Sequence, residues 1–196
     1  MYIVFEGIDT TGKSTQIELF KKNELDIVAL KEPGGTKLGE KLREIILQSD
    51  FNLSFNAELF LFLADRAQNF EENIKKFKDK IIISDRGLIS GIAYALANHP
   101  KLDIDFLIDI NRFALNGNLP NKVVLFKTNA KLIEQRLSEK NHDNIELRGI
   151  EYLLKVQDLM VDVLNKLPIK VLVIDASNSI EKIHQDIKDF VYDSVA

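Results

Sequence analysis

The sequence predicts an α/β protein built on a five-stranded parallel sheet with helices on both faces. Short, almost continuously apolar runs rich in Ile, Val and Leu alternate with longer segments of helical periodicity. Such runs are typical of parallel strands covered on both faces, and the alternation favours right-handed crossovers. The predicted strands are Tyr2–Phe5, Ile27–Lys31, Lys80–Ser84, Lys122–Phe126 and Lys170–Ile174.

Eight segments have the periodicity of helices. They are Lys13–Asn23, Thr36–Gln48, Asn56–Phe77, Leu88–Ala97, Ile104–Leu115, Ala130–Glu139, Ile150–Leu164 and Ile180–Val195. The third segment is apolar nearly all round, so this helix is expected to be buried. With 196 residues, 45% of them apolar, the chain is most simply one domain spanning residues 1–196.

The loop after the first strand has the pattern G-x-x-x-x-G-K-S. It comprises Gly7, Ile8, Asp9, Thr10, Thr11, Gly12, Lys13 and Ser14. Two glycines allow successive backbone N–H groups to face inward, and the positive end of the next helix adds to this anion site. The lysine can then reach the β and γ phosphates of a nucleotide, and the serine hydroxyl can bind Mg²⁺. The alternative is a glycine-rich turn between strand and helix.

Composition and charge exclude several classes of protein. The net charge of −4 argues against an electrostatic binder of nucleic acid, because phosphate backbones require a basic surface. The chain has no cysteine, which excludes disulfides and thiolate catalysis. It has no basic leader and no apolar run near the ~18 residues that a bilayer requires. We therefore expect a cytoplasmic protein without membrane or nucleic-acid partners.

Polar residues that follow the strands are expected to meet, because ligands bind beyond the carboxyl ends of parallel strands. Asp9 suits Mg²⁺ or a sugar hydroxyl, and a plain turn residue is the alternative. Asp85 suits Mg²⁺ and Arg86 suits a phosphate, whereas an ion pair closing the strand is the alternative. Tyr94, two helical turns further on, is placed to line the same cleft.

The third predicted helix carries Phe62 and Arg66 four residues apart, so the two share one face. An aromatic ring beside a cation with five donors suits a planar base whose rim carries hydrogen-bond acceptors. The alternative is a core Phe below an Arg that pairs with Asp65 or Glu58.

Two further segments have open interpretations. The turn Glu32–Thr36 contains Pro and two Gly, and a structural role alone is enough to explain it. Arg43, in the helix that follows, either faces the pocket or is solvated. The polar segment near residues 138–149 resembles a mobile lid over phosphates and equally resembles an ordinary solvated connection.

Six motifs in order closely resemble those of thymidylate kinases, and the resemblance covers almost the whole chain. They are Phe5–Asp9, Gly12–Gln16, Glu32–Thr36, Ala64–Gln68, Asp85-Arg86 and Ala93-Tyr94. The resemblance implies a P-loop NTPase-type fold, transfer of the ATP γ-phosphoryl group to dTMP with Mg²⁺, and a homodimer.

The resemblance also implies a role for each matching position. The backbone from Gly7 to Ser14 would hold the ATP phosphates, with Arg136 packed on adenine. Phe62 would stack on thymine, Arg66 would donate to its O4, and Tyr94 would lie under the deoxyribose. The dTMP phosphate would be bound by Arg86 and approached by Arg43. Ser14 would hold the metal, and Asp9 would contact the sugar 3′-hydroxyl or the Mg²⁺ near the acceptor phosphate. Together with the position of Asp85 after its strand, this gives Ser14, Asp9 and Asp85 as the expected metal site and Lys13, Asp9 and Arg86 as the expected catalytic residues.

The chain departs from the family pattern where an arginine is usual. Asp143-Asn144 stands in the lid where relatives often have an acidic residue and Arg, and Thr10 stands where some members place Arg. Gly87, Ala95 and Lys31 also differ from the usual Tyr, Gln and Arg. We expect Arg148, with Lys140 as second choice, to supply the missing charge.

Two competing functions remain at this stage. The first is a kinase of another nucleoside monophosphate on the same scaffold. The second is a nucleotide-dependent switch, but such proteins usually carry N-K-x-D, and neither Asn121-Lys122 nor Asn165-Lys166 continues in that way. The apolar helices Asn56–Asp65 and Leu88–Ala97 are either a dimer interface or ordinary core.

Overall fold

The computed structural model describes residues 1–23, 26–137 and 149–193. Five strands form one parallel sheet in the order β2-β3-β1-β4-β5, which confirms the predicted fold class. The strands are β1 (Tyr2–Glu6), β2 (Ile27–Lys31), β3 (Ile81–Asp85), β4 (Lys122–Lys127) and β5 (Lys170–Asp175). The order places β1, and the loop that follows it, at the centre of the sheet.

The described residues contain eight α-helices. They are α1 (Lys13–Asn23), α2 (Lys37–Gln48), α3 (Phe55–Asn69), α4 (Leu88–Asn98), α5 (Ile104–Ala114), α6 (Ala130–Leu137), α7 (Ile150–Asn165) and α8 (Ile180–Tyr192). Thr36 caps α2, and its side chain accepts a hydrogen bond from the Gly39 N–H. None of these helices is long and apolar enough to cross a bilayer.

Helices cover both faces of the sheet because the central strands are apolar on both sides. On β1, Val4 packs into a cluster with residues of α4, α5 and α7, whereas Ile3 and Phe5 pack into a second cluster with α1 and α8. All three of these side chains are fully buried. The sheet is therefore a rigid base from which the loops at its carboxyl edge project.

The third predicted helix differs from the structure at its end. It was expected to continue to Phe77, but α3 ends at Asn69 and a π-helical turn follows at Phe70–Ile74. The wider turn occurs where the side chains of Asn69 and Asn73 are bound to the segment after β2. Tertiary hydrogen bonds thus decide a boundary that periodicity alone did not predict.

The expectation that the third helix is buried is wrong. Within α3 only Asp65, Arg66 and Asn69 are buried, and Phe60 is 64% exposed. One face of α3 packs on α2 and α5, and its apolar residues continue onto the outer face. Phe106 and Phe113 of the neighbouring α5 are exposed as well. The two helices together present an apolar outer surface.

Candidate active site

The G-x-x-x-x-G-K-S segment forms a tight loop between β1 and α1. Gly7, Thr10 and Gly12 all have positive φ angles, of 147°, 66° and 93°. Gly7 also lies against β4, so that a Cβ atom there would be 2.7 Å from the carbonyl oxygen of Phe126. A side chain at this position would push the loop off the sheet, which explains why glycine is required.

Lys13 begins α1 and folds back over the loop. Its side chain is almost completely buried, and Nζ donates to the carbonyl oxygens of Gly7 (3.0 Å) and Ile8 (2.8 Å). Burial lowers the pKa of Lys13 to about 8, and the neighbouring Arg86 acts in the same direction. An anion in this loop would therefore stabilise the charged form of the lysine.

Ser14 and Asp85 meet at the carboxyl edge of the sheet. The Ser14 hydroxyl donates to Asp85 Oδ2 at 3.0 Å, because the loop after β1 lies beside the end of β3. A hydroxyl and a carboxylate are the hard oxygen ligands that Mg²⁺ takes, and this ion usually keeps several waters. No cluster of three or more acidic, His or Cys side chains suited to a metal lies in the described ranges. The pair therefore fits a magnesium ion that is held mainly by phosphates and water.

A cleft of about 750 Å³, here called the loop pocket, opens above these residues. Its walls include Asp9, Thr10, Thr11, Gly12, Lys13, Ser14, Asp85 and Arg136. The other two loop residues predicted to bind ATP, Gly7 and Ile8, lie beneath this surface and present their carbonyl groups to the lysine. Arg136 joins two walls by donating to the carbonyl oxygens of Thr10 (2.7 Å) and Ala176 (2.9 Å).

A second cavity of about 170 Å³, here called the aromatic pocket, lies on the other side of Arg86. It brings together all six residues expected to bind the second substrate, which are Asp9, Arg43, Phe62, Arg66, Arg86 and Tyr94. They come from the loop after β1, from α2, α3 and α4, and from the end of β3. Arg43 is oriented by a hydrogen bond from Nη1 to the carbonyl oxygen of Pro33 (2.9 Å).

Arg86 lies between the two pockets in a left-handed backbone conformation, with φ of 69°. Its guanidinium donates to Gly7 O (2.7 Å), Asp9 Oδ1 (2.5 Å) and Ser90 Oγ (3.1 Å) and lies 5.9 Å from the Tyr94 ring centre. Burial opposes the charge of Arg86, but Asp9 and the other acidic groups nearby outweigh it and raise its pKa. The cation is thus fixed before any phosphate arrives.

Arg66 is buried at the inner end of the aromatic pocket, and its partner is neither Asp65 nor Glu58. Nε donates to Glu32 Oε2 at 2.9 Å, and Nη1 donates to Asn111 Oδ1. The alternative of a pair with Asp65 or Glu58 is therefore wrong, since the acidic partner comes from the turn after β2. A donor edge held in this way can recognise an acceptor on a planar ligand.

The Pro-Gly-Gly turn is bound closely by α3. Asp65 Oδ1 accepts the Gly34 N–H at 3.0 Å, and Asn73 donates to the Gly35 carbonyl oxygen at 3.0 Å. A Cβ at Gly35 would be 2.8 Å from Asn69 Oδ1, so the close approach requires glycine. Burial raises the pKa of Asp65 to about 6.

Comparison with known proteins identifies the family to which this chain is similar. The model of the thymidylate kinase family matches residues 5–187 of this chain. The chain is 53% identical to the thymidylate kinase of Sulfurovum sp. (strain NBC37-1) over 191 residues, covering 97% of this chain and 99% of that protein. It is 54% identical to the thymidylate kinase of Campylobacter hominis over 194 residues, covering 97% and 100%.

The chain belongs to the thymidylate kinase family. Among solved structures, that of thymidylate kinase from Ehrlichia chaffeensis superposes with a TM-score of 0.75 at 25% identity, covering 97% of this chain and 98% of that one. The chain is therefore an ATP-dependent phosphotransferase, and the reaction of its family converts dTMP to dTDP.

Sequence reasoning overlooked one residue of this thymidylate kinase fold that lies beside the site. Glu6 is fully buried at the end of β1, and one of its oxygens accepts a hydrogen bond from Ser90. Its other oxygen, Oε1, has no hydrogen-bond partner in the described part of the chain. Burial raises the pKa of Glu6. The sequence feature that could have identified Glu6 is its position between an apolar strand and the loop.

Part of the expected family site cannot be located. Arg148, Lys140 and positions 138–148 of the expected lid lie outside the described residues. The sequence prediction for them stays a prediction.

Proposed function

We propose that the chain makes dTDP by transferring the γ-phosphoryl group of ATP to dTMP, with ATP in the loop pocket and dTMP in the aromatic pocket. One observation carries this assignment. The two pockets share Asp9, Glu32, Arg43 and Arg86 along their boundary. Phosphates bound on either side would meet there, as in-line transfer requires.

The loop pocket is assigned to ATP. Backbone N–H groups between Gly7 and Ser14 would bind the phosphates, and Lys13 would exchange its loop carbonyl partners for the β and γ phosphates. Arg136 would pack on adenine while it still bridges Thr10 and Ala176.

The aromatic pocket is assigned to dTMP. Phe62 would stack on the thymine ring, and Arg66 would donate to O4. Arg86 would bind the 5′-phosphate with Arg43 beside it, and Tyr94 would lie under the deoxyribose. The lining of this cavity by all five side chains supports the assignment.

Mg²⁺ is proposed as the cofactor. Ser14 and Asp85 would hold it beside the ATP phosphates, and Asp9 would stand on the dTMP side, where it now pairs with Arg86. When bound, the ion neutralises charge on the phosphates and orients them. The dTMP phosphate is already an anion, so no protein group has to remove a proton before attack.

The reaction also requires positively charged side chains next to the transferred phosphoryl group. Lys13 and Arg86, which both donate to the Gly7 carbonyl oxygen, would supply part of this charge, and we propose that Arg148, with Lys140 as second choice, adds to them from the lid. A positioned cation can contribute roughly 10³-fold in rate. If turnover of both Arg148→Ala and Lys140→Ala stays within about threefold of wild type, the lid proposal is wrong.

A homodimer is proposed on the basis of the apolar outer surface of α3 and α5. Phe60, Phe106 and Phe113 are 64%, 53% and 88% exposed, which is unusual for large aromatic side chains. The other candidate helix, α4, is buried in the core of its own chain. Light scattering should give twice the chain mass for wild type and the single mass for Phe60→Glu combined with Phe113→Glu.

We further propose that residues 1–196 form one domain with a lid near 138–149, located in the cytoplasm. The continuous sheet and the two clusters that cover its faces support the single domain. The supply of ATP and dTMP for DNA precursors supports the location.

A coupled assay of ADP release tests the assignment of substrates. It offers dTMP, dUMP, dCMP, dGMP and AMP in parallel with ATP and Mg²⁺. We expect dTMP to give the highest kcat/KM and dCMP a much lower value, because Arg66 meets an amino donor where thymine has an acceptor. Highest activity with AMP or dGMP would instead assign another nucleoside monophosphate.

A further inference from the structure

We propose that Glu32 is a positioning residue that orients Arg66 for recognition of the base and thereby sets the preference for thymine over cytosine. This inference rests on the proposed binding of dTMP in the aromatic pocket. It assigns a function to the Pro-Gly-Gly turn, which from sequence alone needed only a structural explanation.

The carboxylate of Glu32 has no freedom to turn. It is almost fully buried, and Oε2 accepts from Arg66 Nε at 2.9 Å while Oε1 accepts from Asn69 Nδ2 at 3.1 Å. Its backbone N–H donates to the Asp85 carbonyl oxygen at 3.0 Å, which ties the end of β2 to the end of β3. Glu32 is therefore held in one position at the carboxyl edge of the sheet.

The guanidinium of Arg66 is held at a second point by α5. Nη1 donates to Asn111 Oδ1, and Asn111 is itself held by a 2.7 Å hydrogen bond from Nδ2 to the Leu107 carbonyl oxygen. A planar group bound at Nε and at Nη1 has only one orientation. Within the described residues no hydrogen bond uses Nη2, which leaves this nitrogen for a ligand in the pocket that Arg66 lines.

The small size of Gly91 on α4 completes this arrangement. A Cβ atom there would be 3.3 Å from Nη2 and 3.5 Å from Nη1 of Arg66. The edge of the guanidinium that carries Nη1 and Nη2 therefore faces the helix that carries Tyr94, where a side chain larger than glycine would crowd it.

Orientation matters because thymine and cytosine differ at one rim position. Thymine presents the O4 acceptor where cytosine presents an amino donor. A donor fixed at that place forms a hydrogen bond with thymine. With cytosine it would face the amino donor, and two unpaired donors discriminate more strongly than the loss of a contact alone. A guanidinium that can tilt would keep its charge but would no longer distinguish the O4 acceptor of thymine from the amino donor of cytosine.

The test is a double-mutant cycle read as selectivity, the ratio of kcat/KM for dTMP to kcat/KM for dCMP. The variants are Glu32→Gln, Arg66→Met and both together, with Glu44→Gln on the exposed side of α2 as the matched loss of a carboxylate. We expect Glu32→Gln to lower the ratio about tenfold. In the Arg66→Met background it should change the ratio by less than about twofold, because Glu32 acts through Arg66.

Glu32→Asp keeps the test decisive if the glutamine variant does not fold. It retains the charge but is one carbon shorter, so it cannot hold Arg66 and Asn69 at the present distances. A folded Glu32→Asp that keeps the wild-type ratio, while Arg66→Met lowers it, overturns the positioning proposal alone. An unchanged ratio in Arg66→Met overturns the assignment of Arg66 to thymine, and the inference about Glu32 with it.

Discussion

The loop pocket and the aromatic pocket lie side by side but are built in opposite ways. The loop pocket is centred on one continuous segment, residues 9–16, whose backbone is proposed to bind the phosphates, and glycine stands at position 7 beneath it, where a side chain would collide. The aromatic pocket takes side chains from several separate segments, and its three arginines are each held by other protein groups. A short motif can therefore specify the first pocket, whereas only the folded chain assembles the second.

The largest effect is expected from the single side chain on which the loop pocket depends. Lys13→Met removes the cation that is proposed to reach the transferred phosphoryl group, so kcat should fall on the order of 10³-fold. Steady-state kinetics at saturating dTMP would measure this. A kcat within about tenfold of wild type would mean that the backbone alone carries the function of the loop.

Arg86→Gln tests the boundary between the pockets. We expect the KM for dTMP to rise about 100-fold, since a charge-assisted pair of hydrogen bonds to phosphate is lost. The KM for ATP should rise by a much smaller factor, because Arg86 borders the loop pocket but is proposed to bind the phosphate of dTMP. Equal increases for both substrates would show that the pockets are not separable at this residue.

The pKa of Lys13 predicts a pH dependence for the loop pocket alone. Below pH 8 the free enzyme already carries the charged lysine, and ATP binding needs no proton. Above pH 8 the free lysine is neutral, so binding must take up a proton and affinity should fall by up to about tenfold per pH unit. Calorimetry in buffers of different ionisation enthalpy would measure this uptake, and Lys13→Met should abolish it.

The smallest effect is expected from the aromatic side of the site. Phe62→Leu keeps an apolar contact but loses the stacking geometry, worth about 1 kcal/mol, so the KM for dTMP should rise roughly fivefold. The KM for ATP serves as the internal control. An unchanged KM for dTMP would place the base elsewhere in the pocket.

The regular elements and the loop pocket were largely predictable from sequence. All five strands appear within one residue of their expected ends, because parallel strands buried on both faces leave a continuous apolar run. The loop motif was sufficient to predict its own geometry. Ser14 and Asp85 had both been assigned to Mg²⁺, and the structure brings them within hydrogen-bonding distance because the loop after β1 lies beside the end of β3.

What sequence did not predict depends on contacts between distant segments. The partner of Arg66 is Glu32, thirty-four positions away, whereas the sequence had suggested only nearer residues, as an alternative to base recognition. The prediction that α3 is buried was wrong because the pattern of apolar residues shows which faces of a helix are apolar but not which other elements cover them. Glu6 lies within the motif Phe5–Asp9 but was given no role, because the sequence does not show that its carboxylate is buried against Ser90.

Helix α3 carries Phe60 on its outward face and Phe62 and Arg66 on its inward face. One face of α3 therefore forms the surface proposed for a second copy, and the opposite face, about one helix diameter away, forms the wall of the aromatic pocket. If a compound bound to the outer face shifted α3, it would disturb the aromatic pocket without occupying the site of either nucleotide.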